Sequence, residues 1–520
     1  MIYTLPHLIE NSAKLFPDNE AFRFANQSLT YSEIEVKMNQ LAKHLTASGV
    51  RKGDRVGVYM HRCLETAIAI YGIMKSGAAY VPLDPFAPQS RTLFVIQDCG
   101  IEHLVTTPTQ TKKITKLTLQ ESGLKSIIGT TTELPSISSF SWEEIYAISL
   151  NEFKTVTILE DDLAYIIYTS GSTGTPKGIM HTHYSGLSYA KLSADMYGLT
   201  SEDKVGNHAP LHFDVSTFGY FSAPLAGATT VIVPDAHTKL PLSLAELMEN
   251  ERISVWYSVP LALVQLLIYG GLEKRNLNSL RWVLFAGEVF VTKYLKALMK
   301  CWPKAKFSNI YGPTEVNQCT FYHLETPPKS NEPIPIGEVW GNTEYRILDE
   351  NDQEVSKEQP GSLVIRSSTM MKGYWNNEAL TQKSLFKEII APGIERVFYR
   401  TGDLVRENEK GELLFLGRND RQVKIRGYRI ELDEIENTLV KHQEVEEAAV
   451  ILVDNGNDDK QLMAVVLLNS ESEIKNSDLI TYCKSYLPHY AVPNKVHVLN
   501  AFPRTSSGKI NRNKIKEILA

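Results

Sequence analysis

A stretch rich in glycine and hydroxyl residues, YTSGSTGTPKG, runs from Tyr168 to Gly178, directly after the apolar run LAYII. Its backbone N–H groups and hydroxyls are donors that can wrap a polyphosphate, and Lys177 adds a positive charge. It is not a Walker A loop, because no Gly-Lys-Ser/Thr sequence follows at the required spacing. A surface turn is the alternative, since glycine-rich loops taken alone are more often turns. The alternation of glycine with hydroxyl residues, together with the lysine, favours contact with phosphate.

Four further stretches combine charged, aromatic and small residues, in the order NIYGPTE (309–315), YRTGD (399–403), GRNDRQVKIRGYRIELDEIE (417–436) and PRTSSGKINR (503–512). With the first stretch, they resemble the core motifs of the adenylate-forming superfamily, which includes acyl-CoA synthetases, luciferases and the adenylation domains of nonribosomal peptide synthesis. The resemblance implies a ligase that works in two steps. A carboxylate attacks the α-phosphate of ATP, giving an acyl-adenylate and pyrophosphate. A thiol then attacks the acyl carbon and releases AMP.

The resemblance also implies which residues bind ATP. The loop at 169–177 would hold the triphosphate, and Asn309 and Tyr311 would face the adenine. Asp403 would accept the ribose hydroxyls, with Arg418 in support. A tyrosine in a strand is also often a core residue, and TGD alone is also an ordinary turn. The full set of expected ATP-binding residues is Thr169, Ser170, Gly171, Ser172, Thr173, Lys177, Asn309, Ile310, Tyr311, Gly312, Asp403 and Arg418.

Three residues are expected to take part in catalysis by the same resemblance. Lys509 would bridge the carboxylate and the α-phosphate, where negative charge collects in the transition state. Thr314 would contact the α-phosphate, and Glu315 would be a ligand of Mg²⁺, a cation that prefers hard oxygen ligands. Without the motifs, Lys509 would be interpreted as a solvated surface lysine and Glu315 as a helix-capping carboxylate.

The segment after residue 419 is expected to move between the two steps. Asp420 matches the hinge position of the superfamily, where a few backbone angles can absorb a rotation. After such a rotation, Arg426 and Gly427 would line the path of the thiol. The domains are accordingly expected at 1–419, an adenylation core, and 420–520, a mobile domain that carries Lys509. Composition alone leaves a long surface hairpin within one domain as an equal alternative.

The segment APLHFDVSTFGYFSAPLAGATTV (209–231) indicates which acid is activated. It resembles the amino-acid-binding segment of peptide-synthetase adenylation domains, in which an aspartate pairs with the substrate ammonium group. Asp214 stands at that position, and a buried carboxylate predicts a cation opposite it. Its alternative role is to cap a helix that starts at VSTFGYF. Acyl-CoA and aryl-CoA ligases have no ammonium group to bind and usually lack this aspartate.

The expected pocket wall is apolar apart from Asp214 and two polar positions, which favours a compact apolar side chain. Its residues are Val215, Phe218, Ala262, Leu284, Ala286, Ile310, Gln318 and Cys319. Ile310 stands where many relatives have alanine and should narrow the pocket. The stretches GNHAPLHFDVSTFGY, VWYSVP and NIYGPTEVNQCT resemble free-standing L-prolyl carrier-protein ligases. We therefore predict L-proline as the substrate, with another small apolar amino acid as the alternative.

The acceptor is expected to be the phosphopantetheine thiol of a separate carrier protein, because only eleven residues follow Lys509. One alternative is a ligase that makes a free coenzyme A thioester, and Asp214 argues against it. A second alternative is a non-catalytic protein on the same fold, and the intact Lys177, Glu315, Asp403 and Lys509 argue against that.

The elements that must position these residues alternate between strands and helices. RVGVYM and SVWYSVP predict strands and LALVQLLIY predicts a helix, a pattern typical of parallel sheets covered by helices. The last hundred residues predict two helices and a few strands, enough for a small α+β domain. A chain of 520 residues is also too long for one core.

The composition excludes several other classes of protein. A net charge of −6 argues against a nucleic-acid binder. The five scattered cysteines indicate reduced thiols in the cytoplasm, with neither a disulfide framework nor a zinc site. No signal peptide or membrane span is expected from the sequence.

Overall fold

The structure is a computed structural model that describes residues 1–118, 122–151, 153–171, 174–454, 460–469, 474–504 and 510–519. Over these residues the chain divides into two compact units. The first contains Met1–Pro85, Ile96–Ile167 and Gly178–Asn419. The second contains Phe86–Val95, Tyr168–Lys177 and Asp420–Ala520. Each unit is described by itself.

Helices and strands alternate along most of the chain. The helices are α1 Pro6–Leu15, α2 Tyr31–Ala47, α3 Glu65–Lys75, α4 Gln89–Asp98, α5 Thr111–Thr118, α6 Trp142–Tyr146, α7 His183–Met196, α8 Ala223–Leu225, α9 Pro241–Asn250, α10 Pro260–Tyr269, α11 Thr292–Cys301, α12 Glu378–Lys383, α13 Leu432–Val440, α14 Asn476–Tyr486 and α15 Arg512–Leu519. Among the described residues, none of these helices is both long and apolar enough to cross a membrane.

The strands up to residue 418 are β1 Glu20–Phe24, β2 Gln27–Thr30, β3 Arg55–Tyr59, β4 Ala79–Pro82, β5 His103–Thr106, β6 Ser126–Ile128, β7 Ser138–Phe140, β8 Leu163–Thr169, β9 Lys177–Thr182, β10 Lys204–Asn207, β11 Thr229–Ile232, β12 Val255–Ser258, β13 Trp282–Ala286, β14 Lys306–Tyr311, β15 Thr320–Leu324, β16 Glu338–Val339, β17 Thr343–Leu348, β18 Gly361–Ser367, β19 Gly373–Tyr374, β20 Leu385–Ala391, β21 Ile394–Glu407 and β22 Leu413–Arg418. The strands after residue 420 are β23 Gln422–Ile425, β24 Tyr428–Glu431, β25 Val445–Asp454, β26 Lys460–Leu468 and β27 Lys495–Val498.

Two large mixed sheets and one smaller sheet organise the first unit. One large sheet has the strand order β16-β15-β14-β13-β12-β10-β11-β1-β2, and the other has the order β19-β9-β8-β4-β3-β5-β6-β7. The smaller sheet is antiparallel, with the order β17-β18-β21-β20 and β22 paired to β21. The strands predicted from RVGVYM and SVWYSVP are β3 and β12, and the helix predicted from LALVQLLIY is α10, so these predictions are confirmed.

One hydrophobic core joins the two large sheets. It contains Phe22 and Ile232 from the first sheet, Val56 and Tyr80 from the second, and the buried side chains of α3. Nine consecutive residues of α3, Thr66–Met74, are buried, which explains why its sequence is apolar on every side. Strands β3, β4 and β5 are parallel neighbours, and β4 and β5 are buried throughout, as is typical of parallel strands covered on both faces.

Alternate residues of β12, β13 and β14 divide between two cores because neighbouring side chains point to opposite faces. One face carries Tyr257, Leu284, Ala286 and Ile310. The other face carries residues such as Phe285, which packs against α9, α10 and α11. The parallel register pairs Tyr257 with Leu284 and Ala286 with Ile310, so the first set forms a continuous surface.

In the second unit, β25, β26 and β27 form a sheet with a core on each face. One core includes residues of α13 and α14, and the other includes Ile515 of α15. The sequence predicted two helices after residue 420, and this was wrong because α15 is a third. Its sequence, RNKIKEIL, is mostly polar, and burial of Ile515 against the sheet supplies the stability that the sequence pattern does not reveal.

Close packing of α2 against α3 gives a test of the first unit. A Cβ atom at residue 72 would lie 2.7–2.9 Å from three carbons of Leu41, including its Cβ. We therefore expect Gly72→Ala to destabilise the fold by about 1–3 kcal/mol, although alanine favours a helix over glycine by ~1 kcal/mol. Thermal unfolding followed by near-ultraviolet circular dichroism measures the effect.

The matched control is Gly341→Ala. No described atom beyond its chain neighbours lies within 4 Å of a Cβ placed there, and we expect its melting temperature to match that of the wild type. An unchanged or raised melting temperature in Gly72→Ala would contradict the packing of α2 and α3.

Candidate functional site

The chain reverses direction immediately after β14, at the NIYGPTE stretch. Cys319 donates its backbone N–H to the carbonyl of Tyr311 at 3.0 Å, which closes the reversal. A Cβ at residue 312 would lie 2.1 Å from the carbonyl oxygen of Asn317, so only glycine fits there. Asn317 itself has a φ of 54°, in the left-handed region that asparagine tolerates. The reversal sets the positions of all side chains between residues 312 and 319.

Asp403 lies at the centre of a buried polar group. Its Oδ1 accepts from Arg418 Nη1 at 2.6 Å, and its Oδ2 accepts from the Tyr311 hydroxyl. The two charged residues are cross-strand partners of β21 and β22, and Asp403 is buried. Burial, with the neighbouring carboxylate of Asp403, raises the pKa of Tyr311 well above its ordinary value, so this side chain donates as a neutral phenol. The structure thus brings together three of the residues expected to bind ATP.

Asn309 and Ile310 lie on opposite faces of β14. The Asn309 amide donates to the carbonyl of Pro335 at 2.7 Å, which fixes the orientation of its side chain. Ile310 is buried in the core that carries Leu284 and Ala286. The side chains of Asn309 and Ile310 therefore lie in different surroundings, because neighbouring side chains of a strand point to opposite faces of the sheet.

Glu315 is fully buried, with no exposed surface. Its Oε1 accepts from the Tyr374 hydroxyl at 2.8 Å, and its backbone carbonyl accepts from Met371 at 2.7 Å. One donor to the carboxylate is therefore a side-chain hydroxyl from a distant segment. A buried carboxylate that accepts a phenol hydrogen bond is a hard oxygen ligand in a fixed position.

His181 fixes the backbone at Thr314. Its Nε2 donates to the Thr314 carbonyl at 2.9 Å, and a carbonyl can only accept, so the proton is on Nε2. Burial lowers the pKa of His181 from 6.5 to about 4. Its ring stacks on Tyr165 with centroids 4.9 Å apart. His181 therefore remains neutral at physiological pH and connects β9 to the NIYGPTE segment.

The glycine- and hydroxyl-rich loop belongs to the second unit. Within that unit, the Ser170 hydroxyl donates to the carbonyl of Arg429 at 2.8 Å. Gly174 closes the loop by donating its N–H to the carbonyl of Gly171 at 3.0 Å. The Thr169 hydroxyl is buried and has no hydrogen-bond partner among the described residues, which leaves a donor for a ligand. Lys177 is the first residue of β9. Ser172 and Thr173 lie outside the described residues.

Most of the expected amino-acid pocket lies in one core. Val215, Phe218, Leu284, Ala286 and Ile310 pack in the same hydrophobic cluster. Gln318 reaches that cluster by donating its amide N–H to the hydroxyl of Tyr257. Two expected residues are placed differently. Ala262 lies on α10 outside the cluster, and Cys319 packs beside Tyr311 in the neighbouring core.

Asp214 begins a short 3₁₀ helix, Asp214–Ser216, and is half-buried. Its Oδ1 accepts from the N–H of the adjacent Val215 at 2.9 Å. Phe213 precedes this helix, and Asp214 is its first residue. Burial is the main cause of the raised pKa of three tyrosines, and the charge of Asp214 contributes to the pKa of each: Tyr165, Tyr189 and Tyr257. Asp214 thus lies near three buried phenols.

Several buried polar atoms close to this cluster lack hydrogen-bond partners among the described residues. They are the hydroxyls of Tyr165 and Tyr189, the side-chain carbonyls of Asn317 and Gln318, and the Trp340 indole N–H. Asn317 lies near the Tyr165 hydroxyl and Thr217 lies near the Tyr189 hydroxyl, but neither pair reaches hydrogen-bond geometry. Unsatisfied buried polar atoms are costly, so their concentration at one place indicates a site where a polar ligand supplies the missing partners.

The expected hinge and thiol-channel residues are in the second unit. Asp420 is its first residue in the C-terminal part of the chain, and Asp420 Oδ1 accepts from Gln422 N–H at 3.1 Å. Arg426 and Gly427 form the two-residue turn between β23 and β24, with φ values of 55° and 79°. Positive φ at both positions is typical of a type I′ hairpin turn, which explains the glycine. Lys509 lies outside the described residues.

Sequence reasoning missed Tyr374, His181, Tyr189 and Trp340. Tyr374 follows a glycine in the segment MKGYW, and His181 lies in GIMHTH, where neither residue stands out by type or spacing. Only tertiary pairing reveals Tyr374 and His181, because their partners, Glu315 and Thr314, are more than fifty residues away in the chain.

Comparison with known proteins gives matches over nearly the whole chain. A model of the AMP-binding enzyme family matches residues 9–375, and a model of the AMP-binding enzyme C-terminal domain matches residues 434–509. An L-proline–[L-prolyl-carrier protein] ligase of Pseudomonas fluorescens is 31% identical over 503 residues, covering 96% of each chain. A ligase of the same name from Streptomyces coelicolor is 34% identical over 491 residues, covering 92% of this chain and 90% of the relative.

Among solved structures, the Vibrio cholerae adenylation domain AlmE, in complex with glycyl-adenosine-5′-phosphate, has the same fold. Its TM-score is 0.85 at 24% sequence identity, and the match covers 100% of this chain and 98% of that one. The expected fold class, a large α/β domain followed by a small α+β domain, is confirmed.

The buried, neutral His181 predicts a pH dependence of stability. The unfolded chain binds a proton at this residue more readily than the folded chain does, so acidification favours unfolding. As the pH falls from about 6.5 toward 4, this histidine should cost up to ~3 kcal/mol of stability. His181→Gln keeps an N–H donor without the titration. We expect the melting temperature of the variant to fall less than that of the wild type between pH 7 and pH 5. An equal fall in both proteins would contradict a buried neutral histidine.

Proposed function

The chain belongs to the AMP-binding enzyme family and is a ligase, and on that premise we propose that it activates L-proline as the aminoacyl-adenylate and transfers it to the thiol of a separate carrier protein. The coarser activity, adenylation of an amino acid and its transfer to a carrier protein, is supported by relatives that match almost the full chain. The enzyme uses ATP and Mg²⁺ and acts on a phosphopantetheine carrier protein, in line with its match to the AMP-binding enzyme family and to carrier-protein ligases. We also propose that it works in the cytoplasm.

The observation that carries the choice of an amino acid is the position of Asp214. A carboxylate that faces buried phenols and an apolar cluster lies in surroundings of low polarity. A carboxylate in such surroundings favours a cationic group in a bound ligand. The ammonium group of an amino acid is such a cation, whereas a simple carboxylic acid has none.

The apolar cluster supports proline in particular. Phe218, Leu284, Ala286 and Ile310 are buried together and provide a compact surface. The proline ring is compact and apolar, and its secondary ammonium has two N–H donors. One can pair with Asp214, and the second can reach an acceptor among the unsatisfied polar atoms beside it, such as the Asn317 side-chain carbonyl.

In the first half-reaction, a substrate carboxylate oxygen forms a bond to the α-phosphorus, and the bond from that phosphorus to pyrophosphate breaks. The protein must hold two anionic reactants together, so its contribution is mainly positioning and charge neutralisation. We assign the triphosphate to the loop of Thr169, Ser170 and Lys177, and the ribose hydroxyls to Asp403. Arg418 and Tyr311 already hold that carboxylate in a fixed orientation. We assign Lys509 to the carboxylate and the α-phosphate.

The residues present fit a magnesium ion bound by one carboxylate. Glu315 is buried and held by Tyr374, and within the described ranges no group of three or more His, Cys, Asp or Glu forms a separate metal site. Mg²⁺ in nucleotide enzymes is commonly bound by one or two carboxylates together with phosphate oxygens. When bound, the ion neutralises phosphate charge. Thr314, held by His181 through its carbonyl, is assigned to the α-phosphate.

In the second half-reaction, the carrier thiol loses its proton and attacks the acyl carbon, forming a carbon–sulfur bond. The bond from the acyl carbon to the bridging phosphate oxygen breaks, and AMP leaves with that oxygen. We propose that residues 1–419 form the adenylation core and that residues 420–520 form a mobile domain. Asp420 would be its hinge, and the Arg426–Gly427 turn would line the path of the thiol. At Gly427 the turn has no side chain, so a narrow phosphopantetheine arm can pass close to the backbone there.

The direct test is exchange of labelled pyrophosphate into ATP with each proteinogenic amino acid at equal concentration. We expect the highest rate with L-proline and slower exchange with ring analogues, since one methylene in an apolar pocket is worth about 1–3 kcal/mol. Transfer is then measured to a carrier protein with and without its phosphopantetheine, and to coenzyme A. We expect product only on the phosphopantetheine-bearing carrier. A tenfold preference for another amino acid would refute proline as the substrate but not the adenylation activity. Efficient transfer to coenzyme A would refute the carrier protein as the thiol acceptor.

Asp214→Asn tests the ammonium contact. The variant keeps an oxygen that can accept from Val215 N–H and removes only the charge. We expect the KM for the amino acid to rise by about 10- to 150-fold, because hydrogen bonds to charged groups contribute roughly 1.5–3 kcal/mol. The KM for ATP should stay within about threefold. The control is Asp18→Asn at an exposed position. An unchanged KM for the amino acid would show that Asp214 has only a local structural role.

A further inference from the structure

The second unit contains a half-buried charge network centred on Glu436, which lies on α13. Glu436 Oε1 and Oε2 accept from the two terminal nitrogens of Arg421 at 2.6 Å each. Arg512 Nη2 donates to the same two oxygens, at 3.1 Å and 2.9 Å. The backbone N–H of Val450 donates to Oε1 at 2.6 Å. One carboxylate therefore joins α13 to β25, to the residue before β23, and to the first residue of α15.

The two arginines depend on Glu436 to different degrees. Arg421 also pairs with Asp433, and burial, which lowers its pKa, is outweighed by these two carboxylates, which raise it. The side-chain hydrogen bonds that the described residues provide for Arg512 go to Glu436. If Glu436 lost its charge, two guanidinium groups would lie close together with one carboxylate fewer. The start of α15 would then be the part most easily displaced.

Helix α15 begins at Arg512, which is also the last residue of the PRTSSGKINR stretch. The Asn511 N–H donates to the Pro503 carbonyl at 2.7 Å, and Arg504 and Ile510 form an antiparallel bridge. Asn511 Oδ1 accepts from the N–H of Lys514 at 3.1 Å, which caps α15. The described residues on both sides of 505–509 are thus tied to each other and, through Arg512, to Glu436.

We infer that Glu436 is a positioning residue for Lys509. This inference rests on the proposed function, in which Lys509 acts in adenylation. Lys509 is three residues before Arg512 in the sequence, so a shift at the start of α15 moves its attachment point. Displacing a catalytic group by about 1 Å can cost ~10²-fold in rate. The Glu436 carboxylate is held by Arg421, Arg512 and Val450, so it acts through the described residues that follow Lys509 in the chain.

The test compares the two half-reactions in one preparation of each variant. Glu436→Gln keeps the size of the side chain and removes its charge. We expect pyrophosphate exchange to fall by about 10- to 100-fold, while single-turnover transfer from preformed prolyl-adenylate to the carrier stays within about threefold. Intact transfer also shows that the variant is folded. The matched control is Glu517→Gln, which removes an exposed ion pair with Lys514 on the same helix and should change neither half-reaction.

Two further variants separate a positioning role from a merely structural one. Lys509→Ala is the benchmark, and the double variant with Glu436→Gln should exchange no more slowly than Lys509→Ala alone, because the two changes disable the same group. Multiplicative losses in the double variant, equal falls of both half-reactions in Glu436→Gln, or unchanged exchange would each overturn the inference. If Lys509→Ala itself showed normal pyrophosphate exchange, the proposed catalytic role of Lys509 would be refuted. That result is distinct from one that refutes only the positioning role of Glu436.

Discussion

The polypeptide reverses direction within a few residues after β14, and the absence of a side chain at Gly312 makes this reversal possible. The backbone of Asn317 occupies the space that a Cβ at residue 312 would need. On one side of the reversal, Tyr311 donates to Asp403, and on the other, Gln318 donates to Tyr257. Glu315, between them, meets Tyr374. The contacts proposed for the nucleotide, the metal and the amino acid in the first unit all depend on this one backbone constraint.

The site contains two kinds of buried polar group, which differ in whether the described residues supply their hydrogen-bond partners. Asp403 and Glu315 are buried and already hold protein donors, so their orientations are fixed before any ligand arrives. The hydroxyls of Tyr165 and Tyr189, by contrast, are buried without partners among the described residues. The first kind supplies rigidity, and the second carries a free-energy cost that a bound ligand can relieve. A site built in this way discriminates by hydrogen bonding more sharply than by size.

The sequence was sufficient to locate the motifs, because glycine, hydroxyl and charged residues at fixed spacings are local features. It also predicted β3, β12 and α10, whose apolar runs are long and uninterrupted. It could not reveal Tyr374 or His181, whose importance comes from pairing with distant segments. Helix α15 was missed because its stability depends on burial of Ile515 against a sheet. Asp214 stays a prediction as a site residue, and its place inside a 3₁₀ helix depends on tertiary structure.

The two groups of pocket residues also explain where substrate selectivity must arise. An apolar surface of Phe218, Leu284 and Ile310 excludes charged side chains, because a charge there would be buried without a partner. The same surface separates close hydrocarbon homologues only weakly, since each methylene contributes little. Discrimination among small apolar amino acids therefore depends on the amine, where a carboxylate faces a cluster of buried polar atoms. A secondary ammonium presents its two donors with its ring at a fixed angle, whereas a primary ammonium can rotate. Under the proposed function, the polar end of the pocket, rather than its apolar wall, is thus the physical basis for distinguishing proline from acyclic amino acids.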